Sequence, residues 1–458
     1  MSASDGGAAA PSPAAPAAPA ARSDPEVLIV GGGIVGLFCA YFLRQRGATV
    51  TVIERGEVGG PGSCSYGNTG LVGTQGSAPL AEPGVLTQGM RWLTDPASPF
   101  YIKPRLDPEL VSWLWHFRRF CNERSAQAVF RVLLAMKKRS LDILTGLCAS
   151  ENLASTFTAP GIVVACKTPE GFGKACRSVP QAVALGVPLR VLRPGELAAL
   201  EPDTEFDISG ALINAEGAAL HVPAFLSEFA RMLAGLGVEI HPGTEAVGFE
   251  VAGRQVTKVI TTRGEFTPAE VVVAAGAWSV AAARKLGVGL VMQPAKGYSI
   301  TVRAPRGGPR RPVILSEGKV AIMPLGDRLR FGGTLELSGL DGTVSQRRLD
   351  GIRRTVRSYL PHLESTETVE TWSGFRPCTP DSVPFIGRTE RYGNVSIACG
   401  HGYIGMGLAP GTGELIAQII AGEQPDTDPE PFRIDRFTNR SRRPHRGQQE
   451  PVAVSPSA

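Results

Sequence analysis

The sequence predicts an α/β protein in which a Rossmann-like domain is interleaved with an α+β domain built on a largely antiparallel sheet. Three observations carry this. The run VLIVGGGIVG at residues 27–36 is an apolar strand, a glycine-rich turn and the start of a helix. The strand-like TVTVIER follows and ends on the acid Glu54. Strand-rich sequence then intervenes before a second glycine-led helix near the end of the chain.

Each part of the opening motif has a physical role. Gly31 lets the chain turn sharply, Gly33 lets the backbone approach a pyrophosphate, and Gly36 lets the helix lie close on the sheet. The helix begins at Ile34 and Val35, so its free N–H groups and positive dipole end face the phosphates. Glu54 stands 21 residues after Gly33, where a carboxylate reaches a ribose hydroxyl pair, with Arg55 beside it. An acid there disfavours a 2′-phosphate. The alternative for an isolated glycine motif is a structural turn, and the strand, helix and spaced acid together argue against it.

The next segments alternate loop, helix and strand. GEVGGPGSCSYGNTGLVG (56–73) holds too many turn formers for a regular element and reads as a loop lying on a ligand. Residues 107–149 read as two amphipathic helices, with Leu110, Trp113, Leu114 and Phe117 on one stripe and Val129, Leu133, Met136 and Leu144 on the next. We expect them to pack on the protein's own core, a membrane-surface role being the alternative. HVPAFLSEFARMLAGLG from 221 is a helix closed by Gly237. VEIHPGTEAVGFEV, QVTKVITTRGEF and EVVVAAGAWS read as strands of the same sheet as the N-terminus. KGYSITV, KVAIMP and RLRFGGTLEL suggest the antiparallel sheet of the second domain.

The chain closes on GFRPCTPDSVPFIG (374–387), strand-like NVSIAC (394–399) and GHGYIGMGLAPGTGELIAQIIAG. GHGYIG repeats the glycine spacing, but no second strand or ribose-binding acid follows, which excludes a second nucleotide domain. What remains is a helix N-terminus offered to an anionic group, such as the N1/O2 end of a reduced flavin. Both ends of the chain would then meet on one cofactor.

Composition sets outer limits. The chain has 458 residues, 43% hydrophobic and 19% charged, which suits a globular protein with two or three lobes. Residues 1–25 are Ala-, Pro- and Ser-rich without a secretory pattern and are expected to be a disordered tail. No stretch approaches the roughly 20 apolar residues of a membrane-spanning helix. The net charge is +5, and Arg433, Arg436, Arg440, Arg442, Arg443 and Arg446, set against Glu430 and Asp435, supply about +4 of it, leaving a near-neutral body without a nucleic-acid signature. This C-terminal segment is expected to be solvated, an anionic-lipid contact being the alternative. Eight cysteines without a CxxC pair fit a reducing cytosol, and no metal site is expected. Cytoplasmic localisation follows, with peripheral contact at the inner face of the cell membrane left open.

These motifs resemble the flavin-dependent D-amino acid oxidase and glycine oxidase superfamily, and within it the D-amino acid dehydrogenase small subunits. The resemblance is carried by VLIVGGGIVG with TVIER, SYGNTG with APLAEPGV, VSWLWHFRRFC, PAKGYSITV, KVAIMP with RLRFGGTLEL, WSGFRPCTPDSVPFIGRT and GHGYIGMGLAPGTGELIA, spread over nearly all of residues 26–425. It implies a glutathione-reductase-type FAD-binding domain in three pieces, 26–80, 211–289 and 373–425. The substrate domain would occupy 81–210 and 290–372, with a basic tail at 426–458.

The resemblance also implies site roles. Gly31, Gly33, Gly36 and Glu54 would hold the ADP half of FAD, and Ser65, Asn68, Thr69 and Gly70 would line the pyrophosphate and isoalloxazine. The backbone of Val247 would border the adenine, near Ala275 and Gly276. Gly402, Gly405 and Met406 would flank the flavin pyrimidine edge. Arg376 would form a two-pronged pair with a substrate α-carboxylate. Tyr298 and His401 are candidate pocket groups, with core packing and backbone positioning as their respective alternatives. Asp381 is equally readable as a turn cap, and Cys64 has no assignable family role.

The implied activity is FAD-dependent oxidative deamination of D-amino acids, with electrons passed to a quinone or respiratory acceptor. One alternative is an oxidase of glycine, sarcosine, D-proline or another secondary amine that uses oxygen. A protein retaining FAD as a structural element, and an NAD-dependent dehydrogenase, are more distant readings.

Overall fold

VLIV is apolar at every position because its side chains enter two cores. In the strand Val27–Val30, Val27 and Ile29 join one buried cluster while Leu28 and Val30 join another. The computed structural model describes residues 26–74, 79–85, 100–150, 153–363 and 366–437, so the expected tail at 1–25 lies outside the described residues. Val27–Val30 sits within a six-stranded sheet, in the order Glu239–His241, Val50–Ile53, Val27–Val30, Glu270–Val273, Val395–Cys399 and Phe385–Arg388. All neighbours are parallel except the last pair.

Two helices cross this sheet side by side. Ile34–Gln45 follows the first strand and Gly405–Ala421 follows Val395–Cys399. A third, Val222–Gly235, closes the layer by setting Phe229 4.7 Å from Phe38, ring centroid to centroid. Glu123–Ser150 runs over the closing helix, where Arg139 makes a two-pronged pair with Glu414 and the Ser140 hydroxyl accepts from the Gly411 N–H at 3.0 Å.

The second layer is a nine-stranded sheet. Its path is Thr368–Cys378, Gln293–Arg303, Arg328–Leu337, Val320–Leu325, Val313–Leu315, Ile162–Cys166, Gly210–Asn214 and Leu189–Leu192, with Phe100–Ile102 paired to the end of Arg328–Leu337. Only two of its pairings are parallel. On one face Tyr298, Ile300 and Val302 pack with Leu349, Ile352 and Val356 of the helix Gln346–Tyr359. The other face turns Gly297, Ser299 and Thr301 toward the first domain.

The helices Pro108–Phe120 and Glu123–Ser150 bury the expected stripes, with Trp113 and Leu133 fully enclosed. Several expectations change. Residues 246–266 form a separate three-stranded antiparallel sheet instead of extending the parallel one, because Ala246–Ala252 and Gln255–Thr261 close as a hairpin. The boundaries drawn at 210/211 and 372/373 fall at or inside strands, since Gly210–Asn214 and Thr368–Cys378 belong entirely to the large sheet.

The start of the expected basic tail is also part of the fold. Arg436 makes a two-pronged pair with Asp381 and stacks over Phe385 and Phe437, while Phe432 is 1% exposed. Asp381 is thus an anchor for the chain end as well as a turn acceptor for Val383 N–H. Arg440, Arg442, Arg443 and Arg446 lie outside the described residues.

Candidate functional site

The two glycine-led helices open onto one cavity. Its wall takes Gly31, Gly33, Ile34 and Val35 from the first turn, Glu54 and Arg55 from the second strand's end, and Ser65 and Asn68 from the loop. Ala275 and Gly276 come from the strand–helix corner, and His401, Gly402, Gly405 and Met406 from the closing motif. Lining residues as far apart in sequence as Val30 and Met406 converge because Val27–Val30, Glu270–Val273 and Val395–Cys399 are adjacent strands.

The glycines divide the work as their surroundings require. Gly31 has φ 117°, and a Cβ there would stand 2.5 Å from the Ala274 carbonyl oxygen. At Gly36 a Cβ would overlap the Gly31 carbonyl, so its absence sets the helix on the strand. Gly33 differs: a Cβ would meet nothing closer than the Ser65 hydroxyl at 3.8 Å and would project into the cavity. The helix start has no side-chain cap from Gly33 and no acid in its first turn, and Ile34 N–H donates to Ser65 Oγ at 3.4 Å. The closing helix likewise has no side-chain cap at Ile404 and no acid in its first turn. Two helix starts whose own N-cap residues supply no side-chain cap face one cavity, and their remaining N–H groups form a donor set for a diphosphate and for the electron-rich edge of a reduced flavin.

Glu54 stands at the far end, its carboxylate accepting from Gly32 N–H at 2.8 Å and Gly56 N–H at 3.0 Å. Arg55 lies 3.6 Å over the Trp278 ring. Val247, expected beside the adenine, is 42% exposed with its carbonyl accepting from Lys285 at 2.7 Å; the preceding Thr244, Glu245 and Ala246 form the wall instead. Thr69 and Gly70 also stand back from it. Thr69 packs its methyl on Gly332, and Gly70 adopts φ 70° against the Leu220 carbonyl, so both hold the loop in place.

That loop is clamped to the large sheet. Arg330, 3% exposed, donates to the carbonyls of Tyr66 at 2.7 Å and Asn68 at 3.3 Å. Glu370 pairs with Arg330 and accepts from the Tyr66 hydroxyl. Trp372 donates to the Pro61 carbonyl at 2.8 Å while its ring covers Gly67.

Arg376 lies on the strand Thr368–Cys378 with its guanidinium flat across Gly297, where any Cβ would collide with it. It donates to the Thr334 carbonyl at 2.7 Å. No carboxylate among the described residues pairs with it, and burial lowers its pKa from the usual arginine value. Cys64, Cys378 and Tyr403 are its electrostatic neighbours. Burial pushes the Cys64 thiol up to about 11, against the pull of Arg376, and the Cys378 thiol up to about 12, so both stay protonated near neutrality.

His401 is 3% exposed, with a pKa lowered to about 3 by burial, so it is neutral. Thr412 spends its hydroxyl proton on the Leu408 carbonyl and therefore accepts from His401 Nε2 at 3.0 Å, which assigns the proton to Nε2. A backbone bridge joins His401 to Cys378, and Gly402 N–H donates to the Pro377 carbonyl, so the GFRP and GHG segments are fastened together. Tyr298 is absent from this assembly. Strand alternation points it into the opposite core, where its hydroxyl donates to Glu336 at 2.8 Å.

Sequence reasoning missed Trp278, Arg330, Thr334 and Gly297. The signal for Gly297 was present, since an isolated glycine within a strand marks a close approach or a bulge. Nothing local distinguishes the other three.

The fold and this cavity define an α/β dinucleotide-binding protein. The model of the family of FAD-dependent oxidoreductases known as DAO matches residues 26–419, and the chain belongs to that family. It is 33% identical over 420 residues to a D-amino acid dehydrogenase of Methylobacterium radiotolerans, covering 90% of this chain and 99% of the relative. A D-amino acid dehydrogenase of Granulibacter bethesdensis is 31% identical over 418 residues, covering 90% and 99%. Among solved structures, glycine oxidase from Geobacillus kaustophilus superposes with a TM-score of 0.73 at 23% identity, covering 90% of this chain and 98% of that one. L-Proline dehydrogenase from P. horikoshii gives 0.69 at 21%, covering 90% and 98%. These two show the fold.

The cofactor of the family is FAD, and the donor set and the open space before Gly33 fit it. Among the described residues, no cluster of three or more His, Cys, Asp or Glu could hold a metal, all eight cysteines are free, and no helix is long and apolar enough to cross a membrane.

Proposed function

We propose that this protein oxidises D-amino acids to 2-oxo acids and ammonia, the Cα–H leaving as hydride to flavin N5 and the electrons passing to a quinone or respiratory acceptor. The observation that carries the reading is Arg376. Arg376 is not itself in the cavity wall, but it directly precedes Pro377 and has Cys64 as an electrostatic neighbour, both of which line that wall. It has no carboxylate partner among the described residues, and its planar fork suits an α-carboxylate. The two similar dehydrogenases named above support the D-amino acid class.

Bound FAD supplies the two-electron acceptor for this chemistry. Gly33 and the Ile34 helix start would hold its diphosphate, Glu54 its ribose, and the Gly405 helix start its pyrimidine edge. Arg376 fixes the carboxylate and so aims the Cα–H. Neutral His401 acts through backbone position, since its Nε2 proton is committed to Thr412. The thiols of Cys64 and Cys378 are held protonated by burial, so neither is an activated nucleophile.

The test is anaerobic mixing of the yellow holoenzyme with D- and L-amino acids. Bleaching by D-enantiomers, with an added quinone restoring the colour, is the expected result. No bleaching by any D-amino acid would overturn the reading, and rapid peroxide release in air would move the electron acceptor to oxygen.

A further inference from the structure

The seat of Arg376 is built from an irregularity in the large sheet. Gln293–Arg303 and Arg328–Leu337 pair with Tyr298 opposite Gly333 and Lys296 opposite Glu336. Between those rungs one strand contributes only Gly297 and the other contributes both Thr334 and Leu335. This is a β-bulge, and Thr334 within it has φ 58°, a left-handed conformation that strains a β-branched residue. The two sides of the bulge meet the same group. Arg376 lies across Gly297 on one strand and donates to the Thr334 carbonyl on the other.

A regular ladder would commit its carbonyls to the neighbouring strand. The extra residue frees one carbonyl, and the missing Cβ at Gly297 clears the plane on which the guanidinium rests. Held at Nη1 from one side, the fork keeps its remaining N–H groups for a ligand. The side-chain pattern shows that the bulge is not needed for packing. Arg330 and Gly332 face the flavin loop before it, and Leu335 and Leu337 face the cluster around Trp113 and Ala295 after it. With Thr334 removed, simple alternation would place Gly332 and Leu335 on that same face without the extra residue.

We infer that the bulge of Thr334 opposite Gly297 is a positioning device that orients the Arg376 fork for a substrate carboxylate, so that Thr334 and Gly297 are positioning residues for the reaction. This rests on the carboxylate role proposed above for Arg376.

The test uses FAD-loaded full-length protein and two simple carboxylates, acetate and propionate, titrated against the flavin absorption spectrum. Three variants are compared with the parent: deletion of Thr334, Thr334→Gly and Gly297→Ala. Deletion of Thr334 is expected to retain FAD and melting temperature while weakening carboxylate binding at least tenfold. Gly297→Ala is expected to weaken it similarly, by displacing the guanidinium, and it decides the matter if the deletion does not fold. Thr334→Gly keeps the bulge carbonyl and relieves the strained φ, so its melting temperature should rise while its affinity loss stays well below that of the deletion. In turnover, the deletion should raise KM far more than it lowers kcat. Carboxylate affinity within twofold of the parent in FAD-loaded Gly297→Ala or deletion protein would overturn the seat. A parent spectrum that responds to neither carboxylate would instead overturn the carboxylate role of Arg376 and the seat with it.

Discussion

Gly413 of the closing helix rests directly on the backbone of Phe38 in the opening helix, so close that a Cβ would overlap the Phe38 carbonyl group. This contact fixes the spacing of the two helix starts that face the cofactor cavity. Gly413→Ala should therefore cost about 1–3 kcal/mol by overpacking, less the ~1 kcal/mol that alanine gains in a helix. A lowered melting temperature together with a lowered FAD content would be seen in the purified variant; unchanged FAD content would separate this contact from the site.

Arg376→Lys should keep the flavin and the fold but raise the substrate KM about 10–100-fold, because a point charge replaces a two-pronged fork. Steady-state kinetics with the best D-amino acid of the anaerobic screen measures this. An unchanged KM would remove Arg376 from the carboxylate role.

Glu54→Ala should weaken FAD retention by about 10–100-fold, the equivalent of ~1.5–3 kcal/mol for hydrogen bonds to a charged group. Its carboxylate also ties Gly32 and Gly56 together, so a circular-dichroism spectrum must accompany the FAD titration. Equal FAD affinity in a folded variant would contradict the ribose assignment.

Lys137 is 4% exposed on the helix Glu123–Ser150, beside Gly407 in the first turn of the closing helix. Burial lowers its pKa from 10.5 to about 7. The unfolded chain therefore holds this proton more tightly than the folded one between those values. The resulting destabilisation is fully present below pH 7 and fades as pH rises toward 10.5. Lys137→Met should stabilise the protein by on the order of 2–4 kcal/mol at pH 7, given ~1.4 kcal/mol per pKa unit, and progressively less at higher pH. Urea denaturation of both proteins at pH 7 and 9 tests this; a stability difference independent of pH would contradict it.

Legibility in the sequence followed the range of the information needed. VLIVGGGIVG and GHGYIG were readable because each motif carries its strand, turn and helix within a few residues, and strand adjacency then brings both to one cavity. Tyr298 was misplaced because the face a strand residue occupies depends on pairing register, which a single strand does not contain. The bulge at Thr334 is hidden for the same reason, since it exists only as a mismatch between two strands. Arg433 and Arg436 read as solvated charges because their partners, Glu430 and Asp435 for one and Asp381 for the other, include one 55 residues away. Val247 stands one residue beyond the cavity wall, its carbonyl accepting from Lys285 of a later helix, a contact that its own segment does not contain.

If the first and last glycine motifs grip one FAD together, the flavin content of variants at each motif reports it. A Cβ at Gly33 meets only the Ser65 hydroxyl at 3.8 Å, and one at Gly405 meets His401 Cβ at 3.4 Å, so the protein itself has room for either. Gly33→Val and Gly405→Val should each fold normally yet purify without bound flavin, because each methyl pair occupies space assigned to the cofactor. A full complement of FAD in either folded variant would contradict the account.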